Sequence, residues 1–190
     1  MKRMKLICGG LVLAALLGCE RDPGPKAPDA KSTGELVQPA PPPPTSPPLT
    51  AYGWGAVTVG MDEAAAVAAG LHLPEIGKAG SECHFLASAG YPGLLAMVEN
   101  GRVTRITVRE NPTLRTDRNL GVGSTAAEVR ATYGSDLVSL PHKYEASPAA
   151  YLTHWALPEK RGIRYVTNGA GVVTEIHAGS DAIELVEGCG

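Results

Sequence analysis

Asn119-Leu120-Gly121-Val122-Gly123-Ser124-Thr125, running on into Ala126-Ala127-Glu128-Val129, packs a short apolar segment, a glycine turn and a helix start into a few residues. Thr125 and Glu128 have capping-box spacing: the hydroxyl can accept a first-turn N–H while the carboxylate reaches back to the cap. The helix through Val129 and Tyr133 then ends naturally at Gly134. The same order occurs about 63 residues earlier, in Ala56-Val57-Thr58-Val59-Gly60-Met61-Asp62. There Asp62 is placed to cap an alanine-rich segment from Glu63 to Ala69, with Gly70 as terminator. Both predicted helices are short and depend on packing partners.

Strand-like stretches separated by turn signals follow each helix. After the first come Cys83 to Ala87, Leu94 to Glu99 and Arg102 to Arg109, the last two joined by Asn100-Gly101, a strong hairpin signal. After the second come Tyr151 to Leu157, a turn near Pro158 to Arg161, Ile163 to Thr167, the turn Asn168-Gly169-Ala170-Gly171, and Val172 to Ala178. The order helix, strand, strand, strand, stated twice, predicts an α+β fold: two tandem repeats of a short helical segment followed by an antiparallel three-stranded meander. The repeats span about 52–112 and 113–190 within a globular domain of residues 50–190.

On Gly123, Ser124, Glu128, Val129 and Gly134, with Gly60, Met61 and Gly70 in the first copy, the sequence resembles the tandem α+β repeats of the β-lactamase inhibitory protein and of the small lipoprotein of the outer-membrane barrel-assembly machine. The resemblance covers about 130 residues. It implies a unit that acts by binding another protein, as inhibitor or assembly scaffold, and no catalysis.

The N-terminus carries a different message. A basic start (Lys2, Arg3, Lys5), an apolar run from Leu6 to Leu17 and a small residue before a cysteine form a secretion signal. The run is about a dozen residues, too short at ~1.5 Å per residue to cross a ~30 Å hydrocarbon layer. Leu16-Leu17-Gly18-Cys19 resembles the lipobox of bacterial lipoproteins, which implies a cleaved signal peptide over 1–18 and acylation of Cys19. The alternative is an ordinary secretory signal with a chance cysteine. One acyl chain binds membranes only marginally, so the several chains of such lipoproteins are what make the anchor durable. Glu20 stands where aspartate would resemble an inner-membrane retention signal, so the expected place is the outer membrane of a bacterial envelope, facing the periplasm.

Residues 20 to 49 hold ten of the sixteen prolines, including Pro41 to Pro44 and Pro47-Pro48, with almost no bulky apolar side chains. Such a segment builds no core, and 19–49 reads as a disordered, semi-rigid tether reaching up to about 3 Å per residue. A docking motif for a proline-reading domain is the other reading. Three positive charges leave with residues 1–18, so 14 Lys+Arg stand against 19 Asp+Glu in the remainder. That acidic balance argues against a nucleic-acid partner.

Cys8 leaves with the signal and Cys19 carries lipid, so Cys83 and Cys189 are the thiols available to pair in an oxidising compartment. A metal site on Cys83 and His84 is the rival, but it lacks the CxxC pairing typical of zinc ligation.

Alternation in the later strands places Tyr151, Trp155, Ile163, Tyr165, Val172 and Ile176 on a packed side, and His154, Arg164, Glu175 and His177 on an open one. The second set is the candidate binding face for a polar or charged partner; a solvated sheet face is the plain alternative. Among the arginines at 102, 105, 109, 115 and 118, Arg105 and Arg109 share a strand face that could meet an anionic surface, although interleaved Glu99, Glu110 and Asp117 suggest local pairing. The loop Pro141-His142-Lys143-Tyr144 is a recognition tip or a packed connection, with His142 and Tyr144 as its candidates.

Gly121 to Thr125 lacks the Lys-Ser/Thr pair of a phosphate loop, no Gly-x-Ser-x-Gly elbow occurs, and the five histidines show no His-Glu-x-x-His spacing. No catalytic residue, metal or cofactor is assigned. The reading is an envelope lipoprotein, held on the membrane by its lipid, that binds an envelope protein. Recognition of peptidoglycan or lipopolysaccharide sugars through Trp54, Trp155 and the tyrosines is the alternative.

Overall fold

The structure, a computed structural model, describes residues 46–72, 82–156 and 160–189. The predicted signal peptide, Cys19, the tether up to residue 45 and most of the turn near Pro158 lie outside the described residues. Among the described residues no helix is long and apolar enough to cross a membrane.

Strands β1 (Leu49–Thr50), β2 (Gly53–Trp54) and β3 (Val57–Thr58) form a small three-stranded sheet. Helix α1 (Glu63–Ala68) leads into β4 (Leu71–His72), β5 (Cys83–Ser88), β6 (Leu94–Glu99) and β7 (Arg102–Arg109). Helix α2 (Ala126–Tyr133) leads into β8 (Leu137–Pro141), β9 (Ala150–Ala156), β10 (Arg161–Thr167) and β11 (Val173–Gly179). The eight later strands make one antiparallel sheet in the order β4-β5-β6-β7-β11-β10-β9-β8.

This overturns the predicted α+β fold of two tandem helix-plus-three-strand repeats. The described residues are mostly β, 45% strand against 16% helical, and the large sheet is continuous through the β7–β11 pairing. The helices are too short and too poor in large apolar residues to form a layer: α1 buries Ala66 and α2 buries Val129. Two strands, β4 and β8, lacked a sequence signal because each follows directly on a helix-ending glycine (Gly70, φ +98°) or a 3-10 turn (Gly134–Asp136).

Local signals within that sheet did hold. Thr125 and Glu128 form both halves of a capping box, and Gly134 ends α2 at φ +56°. Asn100 and Gly101 both have positive φ, the requirement of the tight hairpin turn between β6 and β7. Asp62 precedes α1 in extended conformation, but its carboxylate pairs with Arg102 at 3.2 Å instead of capping the helix.

The two faces of the large sheet follow from register. Directly opposed residues share a face, and one row runs Leu86, Ala96, Ile106, Ala178, Ile163, His154, Leu137 across seven strands. A parallel row runs Leu94, Val108, Ile176, Tyr165, Leu152. This is the core face, packed against the small sheet, Leu114, Leu120 and the helices. The other face carries the row Leu95, Thr107, His177, Arg164, Thr153, Val138.

The C-terminal segment 180–189 covers that second face. Gly179 leaves β11 where a Cβ would run into the Thr104 carbonyl, and Ser180 donates from N and Oγ to Thr104 O, each at 3.0 Å. A 3-10 turn (Asp181–Glu184) follows, with Ile183 fully buried. The tail ends in the Cys83–Cys189 disulfide, as the sequence predicted, with Cα atoms 5.4 Å apart. Gly188 (φ +67°) lies so close to Arg105 Nη2 and Phe85 that an added Cβ would stand 2.7 and 2.8 Å from them.

A bond closing a loop of 106 residues contributes about 4–5 kcal/mol by restricting the unfolded chain. The double variant C83A/C189A is therefore expected to lose about that much in the free energy of unfolding, measured by urea denaturation against wild type.

Candidate functional site

The strap formed by residues 180–189 brings its own backbone groups onto the sheet, and two buried arginines meet them. Arg105 donates through Nη1 to Ala182 O at 3.1 Å and Leu185 O at 2.7 Å. Arg164 donates through Nη1 to Glu184 O at 3.2 Å, through Nη2 to Glu184 Oε1 at 3.3 Å, and through Nε to Thr153 Oγ1 at 3.0 Å. Arg164 also lies 4.9 Å over the Tyr151 ring. Burying a guanidinium is costly unless its donors are matched; burial lowers the pKa of both arginines, yet each stays charged.

His177 lies between the arginines, 4% exposed. Its Nδ1 is 3.0 Å from Thr107 Oγ1, and its Nε2 is 3.6 Å from Glu175 Oε2, too long for a hydrogen bond. Burial, reinforced by Arg105 and Arg164, holds its pKa well below the usual imidazole value, so the ring is neutral at pH 7. Glu175 is pushed the other way by burial, opposed by Arg105 and Arg109. Thr107 is buried beneath His177. The three side chains thus form a structural network with no exposed hydroxyl.

Between sheet and strap lies a cavity of about 140 Å³ lined by His142, Tyr144, Tyr151, Arg164, Val166, Glu175, His177, Ile183, Leu185 and Val186. Its floor is the polar row and its mouth is apolar. The loop after β8 closes one side: His142 stacks on Tyr151 with centroids 4.8 Å apart, and Lys143 and Tyr144 both reach Glu187 on the strap.

Five residues singled out from sequence therefore meet at one place: Arg164, Glu175, His177, His142 and Tyr144. His154 does not join them. It stands opposite Ile163 in the core row and stacks on Tyr133 of α2 with centroids 4.5 Å apart. Tyr151 and Trp155, assigned to the packed side, lie on the strap face instead, because β9 alternates with Leu152 and His154 inward. Nor is the strap face open: Arg164 is 3% exposed and His177 4%. Arg105 is buried under the strap, and Arg109 is exposed at the end of β7 opposite Glu175. Val172 falls just before β11.

Sequence reasoning missed Ile183, Leu185 and Val186 on the strap, and Val138 and Leu140 on β8. Among the described residues the exposed large apolar side chains are Tyr52, Val67, Val138, Leu140, Tyr144, Leu185 and Val186. Three of them line the cavity, and Val138 and Leu140 face the same way, opposite Thr153 and Tyr151. The available signal was the predicted disulfide, which obliges residues 180–188 to pass from β11 towards β5.

On the far side of the 3-10 turn, Trp155, Lys160, Asp181 and Glu184 line a wider groove of about 440 Å³. Trp54 is buried edge-on against Tyr91, with centroids 4.6 Å apart. Among the described residues no three His, Cys, Asp or Glu side chains come together as metal ligands. Compared with known proteins, the chain matches no family profile, no characterised sequence and no solved structure.

The neutral state of His177 has a pH signature. Its folded pKa is depressed, so its stabilising contribution is complete above the unfolded value of about 6.5 and is lost as pH falls from there towards the folded pKa. Glu175, whose pKa burial raises, acts with the opposite sign. Urea unfolding between pH 7.5 and 5 is expected to show stability falling by up to about 1.4 kcal/mol per pH unit below 6.5, a slope that His177→Gln flattens.

Proposed function

We propose that this chain is a lipid-anchored envelope protein, acylated at Cys19 in the outer membrane, whose folded domain is a non-catalytic protein-binding module. The contact surface is the apolar collar around the strap cavity: Val138 and Leu140 on β8, Tyr144 in the following loop, and Leu185 and Val186 on the strap. One observation carries this reading: five of the seven exposed large apolar side chains among the described residues gather on that side. Clustered exposed apolar groups mark interaction surfaces, whereas scattered ones do not.

The cavity fits the same use. Pockets for drug-sized ligands run to ~300–1,000 Å³. This one, at about 140 Å³, is close to the volume of a cavity that accepts a benzene ring. It suits a single anchoring side chain from a protein partner, the arrangement from which binding hot spots are built.

A glycan is the second reading, favoured by the groove of Trp155, Lys160, Asp181 and Glu184, where an indole face stands beside charged hydrogen-bonding groups. Quenching of Trp155 fluorescence by peptidoglycan fragments, absent in Trp155→Ala, would support it.

Anchoring is tested by fractionation: Cys19→Ser is expected to move the chain from the membrane pellet to the soluble fraction. Binding is tested by cross-linking in the native envelope, with an affinity tag inserted between residues 20 and 45. A defined protein recovered with wild type should fall by about tenfold or more in the variant Y144A/L185E/V186E, a loss of at least ~1.4 kcal/mol. Recovery unchanged by those substitutions, or of glycan alone, would overturn the collar as the binding surface.

A further inference from the structure

The β8 edge of the large sheet lies beside the apolar collar, and its sequence is unusual for an edge. Proteins blunt exposed strand edges with charges, prolines, bulges or covering segments; here Pro141 closes the strand and Arg130 of α2 donates to Ser139 Oγ at 3.1 Å. β8, Leu137-Val138-Ser139-Leu140-Pro141, has four exposed residues of five and no charged side chain. Val138 and Leu140 are 49% and 46% exposed.

The hydrogen-bonding groups on that edge can be assigned. The His142 amide donates to Ala149 O at 3.3 Å, in the register that continues Pro141 opposite Ala150. Antiparallel alternation then turns the peptide groups of Val138 and Leu140 towards β9, and those of Leu137, Ser139 and Pro141 outward. Pro141, which has no N–H to offer, thus presents only its carbonyl to the open edge.

We propose that β8 pairs with β8 of a second copy of this chain, antiparallel and centred on Ser139. The inference rests on the reading of this side as a protein-binding surface and names its occupant. In that pairing Ser139 exchanges two main-chain hydrogen bonds with its counterpart, and the N–H of each Leu137 meets the Pro141 carbonyl of the other copy. The segment is self-complementary in side chains as well. Val138 falls opposite Leu140 of the second copy, on the face where Tyr144, Leu185 and Val186 continue the apolar area. Asp136, exposed just before β8, falls opposite His142 of the other copy, so the same two polar ends meet twice, as a two-fold axis requires; Lys143 beside His142 is held to Glu187 of its own chain at 3.1 Å. A strand of unrelated sequence has no need of this symmetry.

The test uses the full chain in its own envelope. Ser139→Cys places a thiol at the two-fold, and Ala64→Cys places one on the exposed side of α1 as control. With a short bis-maleimide, S139C is expected to give a covalent homodimer, identified by mass, at about ten times the yield of A64C. Adding V138K and L140K should abolish that product while the circular dichroism spectrum of the folded chain stays unchanged, since both positions are exposed. Cross-linking of S139C no stronger than A64C, or to a different protein, overturns self-pairing. If the Y144A/L185E/V186E variant still loses a partner in that case, the protein-binding reading stands and only the second copy is wrong. If neither experiment gives a protein product, both fall.

Discussion

The strap's crossing of the large sheet is the constraint on which the rest of this structure depends. β11 lies in the middle of the sheet, and Cys83 stands on β5, three strand spacings away, roughly 14 Å at ~4.8 Å per strand. The disulfide forces residues 180–188 over the face between them, and that face must then satisfy an irregular backbone. Arg105 and Arg164 do so by donating to the carbonyls of Ala182, Glu184 and Leu185. A strand of apolar residues would have left those carbonyls without a side-chain donor; Arg105 Nη1 and Arg164 Nη1 supply it, although Arg105 Nε is itself left buried without a partner among the described residues.

The polar row follows from that demand. With two cations fixed under the strap, His177 stays neutral and Glu175 stands near enough to Arg105 and Arg109 to balance part of their charge. The row Thr107, His177, Arg164, Thr153 is thus a buried interior layer despite its composition. The cavity arises where the strap lifts away from that layer between Ile183 and Val186, and its apolar mouth belongs to the strap and the β8 loop.

Much of the local structure was legible in the sequence, and the reasons are local. Thr125 with Glu128 and the Asn100-Gly101 turn each act within a few residues, so neighbours alone determine them. The global arrangement was not. Alternation sorts strand residues into two sets without saying which set is covered, and it separates faces cleanly only when one of them meets water. Here both are covered, so Tyr151 looked like core by its hydrophobicity, and His154 looked exposed by its charge. Register puts Tyr151 on the strap face, where it is buried as expected, and His154 on the core face. β8 was missed because its exposed Val138 and Leu140 follow a 3-10 turn and have the composition of a buried segment.

That composition is itself the informative conflict. A sequence usually keeps large apolar residues off exposed edges, and departures concentrate where function opposes solubility. Val138 and Leu140 are two such departures on the edge strand, and Leu185 and Val186 are exposed apolar residues on the disulfide-closed strap. The bond closes the far end of the strap, whose near end is held by Ser180 on Thr104 and by Arg105 and Arg164 on the carbonyls of residues 182, 184 and 185. The bond that stabilises the fold therefore also ties down the segment that carries Leu185 and Val186, so the proposed binding would depend on the same covalent link as stability.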